Sequence, residues 1–234
     1  MIFIEPNKQL VSSIRTLMLS KLFFERYSSS IDEADSLKAF LESHFGIPIL
    51  FLDQVHGSKL VKVNKNHTSL SNLEADALLT AESNMALAIK SADCLPLILC
   101  SKKRNEIAAV HVGWKGLQKG IIENTINSFK SDSDSIKAWI APCISRNNYE
   151  VGRDVYDLFT HSDAESKKSF IAKEEKEKWL FGLKEECIRR LLKYDVNVIS
   201  NRFCTYENNN LFYSYRRGGE SSRMITLVWR EYEK

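Results

Sequence analysis

Two strand-length apolar runs joined by a short charged turn constrain the fold of this chain more than any other feature. The runs are residues 95–100 and 107–112, and the turn between them contains Ser, Lys, Lys, Arg and Asn. Two apolar runs with a short polar connection predict an antiparallel β-hairpin. Such a hairpin brings the start of its first strand beside the end of its second, so Cys94 is predicted to lie next to His111.

A second histidine follows another apolar run. His56 comes after residues 47–52 and is followed by Gly57. Cysteine and histidine are preferred zinc ligands, and a catalytic zinc site combines three protein ligands with one open position. The sequence therefore predicts one metal site built from His56, Cys94 and His111. A different chemistry fits the same residues, because Cys94 could be a nucleophile activated by His111, as in a cysteine hydrolase.

The order of several short motifs resembles one known family. The motifs are Gln-Val-His-Gly at 54–57, Ala-Asp-Ala-Leu-Leu-Thr at 75–80, Ala-Asp-Cys-Leu-Pro at 92–96, His-Val-Gly-Trp-Lys-Gly at 111–116, Ala-Pro-Cys-Ile at 141–144, Tyr-Glu-Val-Gly at 149–152, Cys-Thr at 204–205 and Phe-Tyr-Ser-Tyr-Arg-Arg at 212–217. Each motif alone is weak, but the ordered set is specific. It resembles the bacterial laccase-domain, or polyphenol oxidase, family, whose members are also described as metal-dependent purine nucleoside phosphorylases and peptidoglycan-editing factors.

The resemblance implies a fold, a cofactor and a reaction. The implied fold is α+β, with residues 1–234 in one domain layered as an αββα-type sandwich with mixed sheets. The matching His56, Cys94 and His111 bind the metal in that family, zinc being implied and copper being possible. Asp93, Cys94 and His111 are the implied catalytic groups, with Asp93 as general acid or base. The implied substrates are a purine nucleoside and phosphate: phosphorolysis of adenosine, inosine, guanosine or methylthioadenosine, together with hydrolytic deamination of adenosine.

Five further side chains are predicted to contact substrate. Gln54 belongs to the first motif, and Lys115 lies between Gly113 and Gly116 at a predicted strand-to-helix junction, where a helix N-terminus favours an anion. Arg216 and Arg217 close the last motif, and arginine suits phosphate because it donates two parallel hydrogen bonds. Arg15 ends a Ser-Ser-Ile-Arg stretch that resembles the N-terminal block of the family.

The N-terminal segment, residues 1–46, diverges from the family pattern. Arg15 is followed by Thr-Leu-Met where the family has a Gly-Gly turn. A protein of this family that binds a nucleoside without turnover is therefore an alternative.

The predicted catalytic role of Asp93 depends on the backbone conformation at this residue. On a regular strand it would point away from Cys94, so it can act there only if the backbone turns.

Composition argues against several classes of partner. The net charge of +3 over 234 residues is too small to predict nucleic-acid binding. No apolar run approaches the ~20 residues of a membrane span, and the first residues show no basic region followed by a long apolar one, so neither a span nor a signal peptide is predicted. Five cysteines at irregular spacings favour a reducing, cytoplasmic setting over a disulfide framework. The oligomeric state is not encoded in any recognisable pattern.

Hydrophobic periodicity predicts alternating strands and helices, as in α+β layers. Strands are predicted at 49–52, 60–63, 77–80, 86–90, 95–100, 107–112, 136–140, 197–199 and 224–229. Helices are predicted at 32–44, 116–129, 153–160 and 173–193. The run rich in Lys and Glu at 173–178 is predicted to be the solvated face of the last helix.

Three other interpretations of the metal motif stay open. Copper could occupy the same ligands and support a laccase-like oxidation, although five histidines are too few for the several copper ions of a multicopper oxidase. A hydrolase would fit the editing of peptidoglycan precursors. A closed structural zinc site would need a fourth protein ligand, for which Cys143 and Cys204 are the candidates.

Overall fold

Two β-sheets packed face to face form the centre of the protein, as seen in a computed structural model that describes residues 1–67, 73–101 and 103–231. The strands are β1 Phe3–Ile4, β2 Ile14–Leu19, β3 Ile49–Leu50, β4 Leu60–Lys62, β5 Ala77–Thr80, β6 Ala86–Ser91, β7 Leu95–Ser101, β8 Glu106–Val112, β9 Ile136–Ile140, β10 Glu150–Gly152, β11 Phe170–Ala172, β12 Lys178–Phe181, β13 Asn197–Ser200 and β14 Met224–Arg230. The helices are α1 Lys21–Arg26, α2 Ser28–Asp32, α3 Leu37–Phe45, α4 Trp114–Gln118, α5 Ile121–Ile126, α6 Arg153–Ser162, α7 Leu183–Leu192 and α8 Tyr215–Gly218.

The two main sheets are mixed. A five-stranded sheet has the order β1-β2-β14-β6-β3, and a six-stranded sheet has the order β13-β9-β7-β8-β5-β4. A smaller three-stranded sheet has the order β10-β12-β11. Antiparallel pairs predominate, but β3 pairs with β6, β4 with β5, and β13 with β9 in parallel. The predicted hairpin is present, because β7 and β8 pair from Leu95 opposite Val112 to Ser101 opposite Glu106.

Successive side chains of the central strands enter two different hydrophobic cores, one on each face of the sheet. In β7, Leu97 and Leu99 belong to a core shared with α5 and α7, whereas Ile98 and Cys100 belong to the core between the two sheets. Successive side chains of a strand point to opposite faces, so a strand buried on both sides reads as a continuous apolar run. A third core joins the outer face of the five-stranded sheet to α1 and α3. The layers are thus helix, sheet, sheet and helix, which confirms the predicted α+β sandwich.

The predicted helix over 116–129 is divided in two. Helix α4 ends at Gln118 and α5 begins at Ile121. Gly120 between them has a φ of 82°, a left-handed conformation that glycine adopts readily and that interrupts an α-helix. The helical periodicity of the sequence persists across the break because both helices bury their apolar side chains against the six-stranded sheet.

The predicted helix over 173–193 is wrong in its first half. Residues 178–181 form β12, which pairs with both β10 and β11, and the helix begins only at Leu183. The Lys and Glu residues are not a helix face either. Lys173 and Lys178 both form ion pairs with Glu150 across the small sheet. The helix predicted at 153–160 is confirmed as α6. The helix predicted at 32–44 is present only from Leu37 onward, as α3, because α2 ends at Asp32 and the residues between the two helices are not helical.

Among the described residues, no helix is both long and apolar enough to cross a bilayer.

Candidate metal centre and active site

The three predicted metal ligands converge on one point. Their ligand atoms all lie within 4.8 Å of one another. His56 comes from the loop after β3, Cys94 from the turn between β6 and β7, and His111 from β8. The hairpin register places Pro96 opposite His111, which brings Cys94 beside that ring as the sequence predicted. His56 is exposed, Cys94 half-buried and His111 buried, so the group is open on the His56 side.

The spacing of these atoms suits a tetrahedral metal ion. Cys94 Sγ lies 3.8 Å from His56 Nε2. Zinc bonds of ~2.3 Å to sulfur and ~2.0–2.1 Å to nitrogen, at the tetrahedral angle, separate the two ligand atoms by about 3.6 Å. This pair therefore fits zinc with little rearrangement, and ligand atoms up to 4.8 Å apart would draw together around the ion. Three protein ligands leave the fourth position free for water or substrate.

Asp76 holds two of the three ligands in place. Its carboxylate accepts a hydrogen bond of 2.7 Å from the ring of His111, 2.9 Å from the backbone N–H of His56 and 2.6 Å from that of Gly57. The bond at His111 Nδ1 leaves Nε2 as the ligand atom, because a carboxylate on one ring nitrogen fixes the orientation and tautomer of a metal-binding histidine. Asp76 is fully buried. Motif reasoning placed Asp76 only in the motif at 75–80 beside a predicted strand, because its contacts with the ligands depend on the tertiary fold.

Mutual hydrogen bonds shift the pKa values of this group. Burial opposes ionisation of the Cys94 thiol, but hydrogen bonds from His111 and His56 outweigh burial and lower its pKa to about 6. Burial also disfavours the His111 imidazolium, yet hydrogen bonds to Asp76 and Cys94 raise its pKa to about 9. For Asp76, burial is outweighed by the hydrogen bonds from His111 and Gly57, and its pKa is lowered. When no metal is bound, both shifts favour the thiolate of Cys94 and the imidazolium of His111 over their neutral forms.

The backbone turns at Asp93, as the predicted role of this residue requires. Asp93 has a φ of 89°, which is uncommon for a residue other than glycine. Its carboxylate accepts hydrogen bonds of 2.7 Å from the Thr205 hydroxyl, 3.0 Å from the Ser214 hydroxyl and 2.7 Å from the Arg216 backbone N–H. Asp93 thus joins the segment that carries Arg216 to the turn that carries Cys94. A general acid or base role for Asp93 stays a prediction.

A cavity of 710 Å³ opens beside the three ligands. All three ligands and Asp93 line it. The aromatic side chains of Trp114, Tyr149 and Tyr215 add flat surfaces, and Lys90, Arg216 and Arg223 add positive charge. Flat apolar surfaces with a few charged groups are typical of sites for small aromatic ligands. Motif reasoning missed Lys90 and Arg223, which belong to no recognised motif and reach the cavity because β6 and β14 are neighbours in the sheet.

The structure divides the five predicted substrate contacts. Gln54 and Arg216 line the cavity, although both ends of the Gln54 side-chain amide bond the backbone of Lys90. Lys115 is exposed with its amine 5.6 Å from the ring of Trp114, and it does not line the cavity. Arg15 lies on β2 beside a separate pocket and pairs with Glu231 at 3.1 Å. Arg217 is likewise absent from the cavity wall.

No fourth histidine, cysteine or acidic side chain joins the three ligands within residues 1–67, 73–101 and 103–231. Cys143 and Cys204 instead face each other across a backbone bridge. Cys204 Sγ accepts a hydrogen bond from the backbone of Ser145, and burial raises the pKa of Cys143 to about 12. The two candidates for closing a structural zinc site are therefore engaged elsewhere, and the described site has the open form.

Gly113 permits the close approach of two ligands, and we expect Gly113→Ala to weaken zinc binding. A Cβ at this position would lie 2.9 Å from Cδ2 of His56 and 3.3 Å from Sγ of Cys94, so both ligands would have to move. Its φ of −86° suits any residue, so the backbone itself is not strained. Displaced ligands should cost about 10- to 100-fold in affinity, the range seen when the support of a ligand is lost.

Competition against a coloured chelator measures this affinity. Gly218→Ala is the matched control, because a Cβ there meets no atom within 4 Å. Equal zinc affinity in Gly113→Ala and Gly218→Ala would contradict the proposed crowding of the ligands.

Comparison with known proteins identifies the family. The family described as multi-copper polyphenol oxidoreductase laccase matches residues 32–231. A Haemophilus influenzae protein named purine nucleoside phosphorylase is 33% identical over 198 residues, which cover 83% of this chain and 80% of the relative. An Escherichia coli purine nucleoside phosphorylase is 33% identical over 181 residues, covering 77% of this chain and 73% of the relative.

Solved structures agree with this assignment. A crystal structure of a Neisseria meningitidis protein superimposes with a TM-score of 0.84 at 27% identity, and the match covers 99% of this chain and 100% of the other. A Geobacillus stearothermophilus protein has the same fold, with a TM-score of 0.83 at 20% identity and coverage of 99% and 97%. The resemblance predicted from the sequence motifs is confirmed, and the chain belongs to the family described as multi-copper polyphenol oxidoreductase laccase.

Proposed function

We propose that the protein is a zinc-dependent purine nucleoside phosphorylase that also deaminates adenosine. In the proposed main reaction, the bond between ribose C1′ and the purine breaks and a bond between C1′ and a phosphate oxygen forms. The products are the free base, which takes up the proton of the phosphate, and ribose 1-phosphate, or methylthioribose 1-phosphate from methylthioadenosine. Adenosine, inosine, guanosine and methylthioadenosine are the proposed substrates. The names of the relatives, at 33% identity, support this class of reaction.

The observation that carries the proposal is the composition of one cavity. A group of two histidines and one cysteine, spaced for a metal ion, forms part of its wall. Aromatic rings and positively charged side chains form other parts of the same wall. Purine bases stack on aromatic rings, and phosphate needs cationic hydrogen-bond donors. A metal site, a stacking surface and a cationic surface are thus provided together.

The metal ligands, Asp76 and the aromatic rings of the cavity have different roles in the proposed reaction. Bound zinc would polarise the leaving group or activate water for deamination. His56, Cys94 and His111 would hold it, and the hydrogen bond from Nδ1 of His111 to Asp76 would leave Nε2 available. The rings of the cavity wall orient the purine, which places the glycosidic bond relative to the ligands.

Copper-dependent oxidation of phenols is a weaker candidate, because the described residues offer few side chains that could bind several copper ions. The described residues contain one group of side chains able to hold a metal ion. The remaining histidines lie elsewhere: His44 packs against aromatic rings of α1 and α3, His67 contacts Asn64, and His161 is in the last turn of α6. Four-electron reduction of oxygen needs a cluster of coppers. Copper in this single site would support, at most, a weak oxidation of phenols.

A cysteine hydrolase is the second candidate, and one contact favours it. Asp76, His111 and Cys94 form a chain in which a carboxylate orients an imidazole that contacts a thiol with a pKa of about 6. This is the arrangement of an activated nucleophile. Hydrolytic editing of a peptidoglycan precursor would be a reaction of this kind. The two candidates differ in one requirement, since only the phosphorylase needs the metal.

We expect zinc-loaded protein to cleave purine nucleosides in phosphate buffer and to release ribose 1-phosphate. Protein purified without added metal would first be analysed for its metal content. A panel of nucleosides would then be assayed by chromatography with and without phosphate, on the zinc form, the copper form and the metal-free form. Base release that requires both phosphate and zinc supports the proposal, because phosphate is the second substrate and zinc is the cofactor of the proposed reaction.

Two outcomes would contradict the proposal. A zinc form that binds nucleosides but converts none of them would indicate a non-catalytic member of the family. Phenol oxidation by the copper form at ordinary enzyme rates, on the order of 1–1000 per second, with an inert zinc form, would favour the oxidase. Deamination of adenosine is read separately, as inosine formed without phosphate.

A further inference from the structure

We propose that Arg216 and Arg223 together form the subsite that binds a phosphate group, and that Lys115 and Arg217 take no part in it. The inference rests on the proposed function, because it identifies where the second substrate binds in the same cavity. It also involves a residue, Arg223, that lies outside every motif recognised in the sequence.

Arg216 presents its guanidinium to the cavity from a fixed position. Its carbon Cζ lies 4.8 Å from the centre of the Tyr149 ring, and Nη1 donates a hydrogen bond of 2.8 Å to the backbone carbonyl of Glu150. Its own backbone N–H is held by Asp93 at 2.7 Å. The contact with the ring and one carbonyl bond orient the planar group, and no protein acceptor among the described residues bonds the remaining N–H donors of the side chain.

Arg223 reaches the same cavity from the neighbouring strand. Met224 at the start of β14 pairs with Ser91 at the end of β6. Arg223 therefore lies next to the end of β6, where the chain enters the turn that carries Cys94. Nη1 of Arg223 donates to the backbone carbonyls of Glu220 and Ser222, at 2.7 and 2.9 Å. Its guanidinium is near the ring of Tyr215, with 6.0 Å between Cζ and the ring centre.

The charge of these two guanidinium groups is not neutralised by a neighbouring carboxylate in the described parts of the chain. Two of the nearby acidic side chains have other partners, whereas Asp53, which also lines the cavity, is exposed and forms no ion pair with either arginine in the described ranges. Glu150 pairs with Lys173 and Lys178, and Asp93 is occupied by hydroxyl and backbone donors. Both arginines bond only to backbone carbonyls. Two oriented guanidinium groups without a counter-ion suit a phosphate dianion, since arginine matches its geometry with paired donors.

Arg217 is excluded because its donors are already used. Nε and Nη2 both donate to the carboxylate of Glu220, Nη1 donates to the carbonyls of Thr205 and Tyr206, and Nη2 also donates to the carbonyl of Phe212. An arginine side chain has five N–H donors, and these contacts account for all of them. Arg217 therefore stabilises the loop that carries Arg216. Lys115 is excluded by position, since it is exposed and does not line the cavity.

Phosphate binding to the intact chain tests the proposal directly. Inorganic phosphate would be titrated into the zinc form and the metal-free form by calorimetry, with Arg216→Gln and Arg223→Gln as test variants. We expect each variant to bind phosphate about 10- to 100-fold more weakly, the usual loss when one charged hydrogen-bond donor is removed. The loss should appear in both metal states, because the arginines and not the metal provide these donors.

Arg202→Gln is the charge-matched control, because Arg202 is exposed and does not line the cavity. A second arm replaces inorganic phosphate with ribose 5-phosphate, which separates a free phosphate ion from a phosphate carried by a sugar. Weaker binding of either probe in the two test variants, and not in the control, supports the subsite. Melting temperatures near that of the parent show that the variants are folded.

Equal affinity of parent, Arg216→Gln and Arg223→Gln for both probes overturns the proposal, as does a parent that binds neither probe at millimolar concentration. The outcome is independent of turnover. If the variants lose phosphate affinity but no nucleoside is cleaved by the parent, the subsite stands and the proposed phosphorylase activity fails.

Discussion

Replacing Cys94 with alanine is expected to abolish both zinc binding and nucleoside turnover while the fold is retained. Cys94 supplies the only sulfur within the ligand group, and its removal leaves two imidazoles with no third protein ligand among the described residues. Two ligands do not form the three-ligand site that catalytic zinc requires. The lost thiol is small and half-buried, so the free energy of unfolding should fall by only about 1–2 kcal/mol.

The chain provides a matched control for this change. Cys100 lies on the strand that Cys94 precedes, is fully buried between the two sheets, and forms no hydrogen bond with the ligands among the described residues. Cys100→Ala should lose a comparable thiol and keep both zinc and activity. Zinc content by mass spectrometry, turnover and chemical unfolding would be measured for both variants. Unchanged activity in Cys94→Ala would rule out the zinc site and the cysteine nucleophile together.

Chelation of the parent protein separates those two chemistries. Activity lost on zinc removal and restored by zinc supports the metal, because the thiolate alone would survive chelation. Activity that is indifferent to the chelator but lost on alkylation of Cys94 supports the hydrolase. The hydrogen bond from His111 to Cys94 is compatible with either result, which is why the geometry without metal does not decide between them.

Local sequence patterns were sufficient to predict the hairpin and the convergence of the ligands. The apolar runs of β7 and β8 are bounded by polar residues, and both faces of these strands are buried, so a slip in register would place the wrong side chains in two cores. That register fixes Cys94 beside His111. His56 was included on the same kind of pattern, since it follows the apolar run 47–52 and precedes Gly57, and the family resemblance then matched it to a metal ligand.

Contacts between distant segments were beyond the reach of the sequence. Arg216 and Arg217 are adjacent arginines, yet Arg216 lines the cavity whereas Arg217 donates to backbone carbonyls and to the carboxylate of Glu220. Their difference arises from one step of rotation along the short helix α8 and from the path of residues 205–212. Asp76 is a similar case, since its importance depends on a loop some twenty positions earlier in the chain folding back over it.

The strand β12 shows how periodicity can mislead. Apolar residues at 179, 180, 183, 187 and 191, with Lys and Glu between them, fit a helical stripe. In the fold, however, Trp179 pairs with Val151 and Ala172 in the small sheet, and the helix starts only after Gly182. Strand pairing with a distant segment outweighed the local preference, which is a weak effect by comparison.

The family description and the ligand set point to different metal chemistry. The family is described as a multi-copper oxidoreductase. The described residues offer one mixed site of two histidines and one cysteine. Copper binds such ligands more tightly than zinc does, so an adventitious copper ion could give a protein of this kind oxidase activity. Assays on metal-free protein reconstituted with each metal are therefore needed before either activity is assigned.

Zinc affinity is expected to rise about tenfold per pH unit between about pH 7 and pH 9, where one proton competes with the metal. In the metal-free protein the pKa of Cys94 is lowered to about 6, so above that pH its sulfur is already the thiolate that zinc binds. The pKa of His111 is raised to about 9, so over the same range its ring still carries a proton that zinc must displace. Above pH 9 that proton is lost without metal, and the affinity should become independent of pH.

Competition with a chelator of known proton affinity would give the pH profile, and calorimetry in buffers of different ionisation enthalpy would count the protons released. We expect one proton per zinc near pH 8. Asp76→Asn should move the end of the rising phase to lower pH, because the Asp76 carboxylate helps to raise the pKa of His111. An affinity that is flat from pH 7 to pH 9 would show that His111 is neutral before the metal binds, and that the Asp76–His111–Cys94 contacts do not hold a proton at the ligand nitrogen.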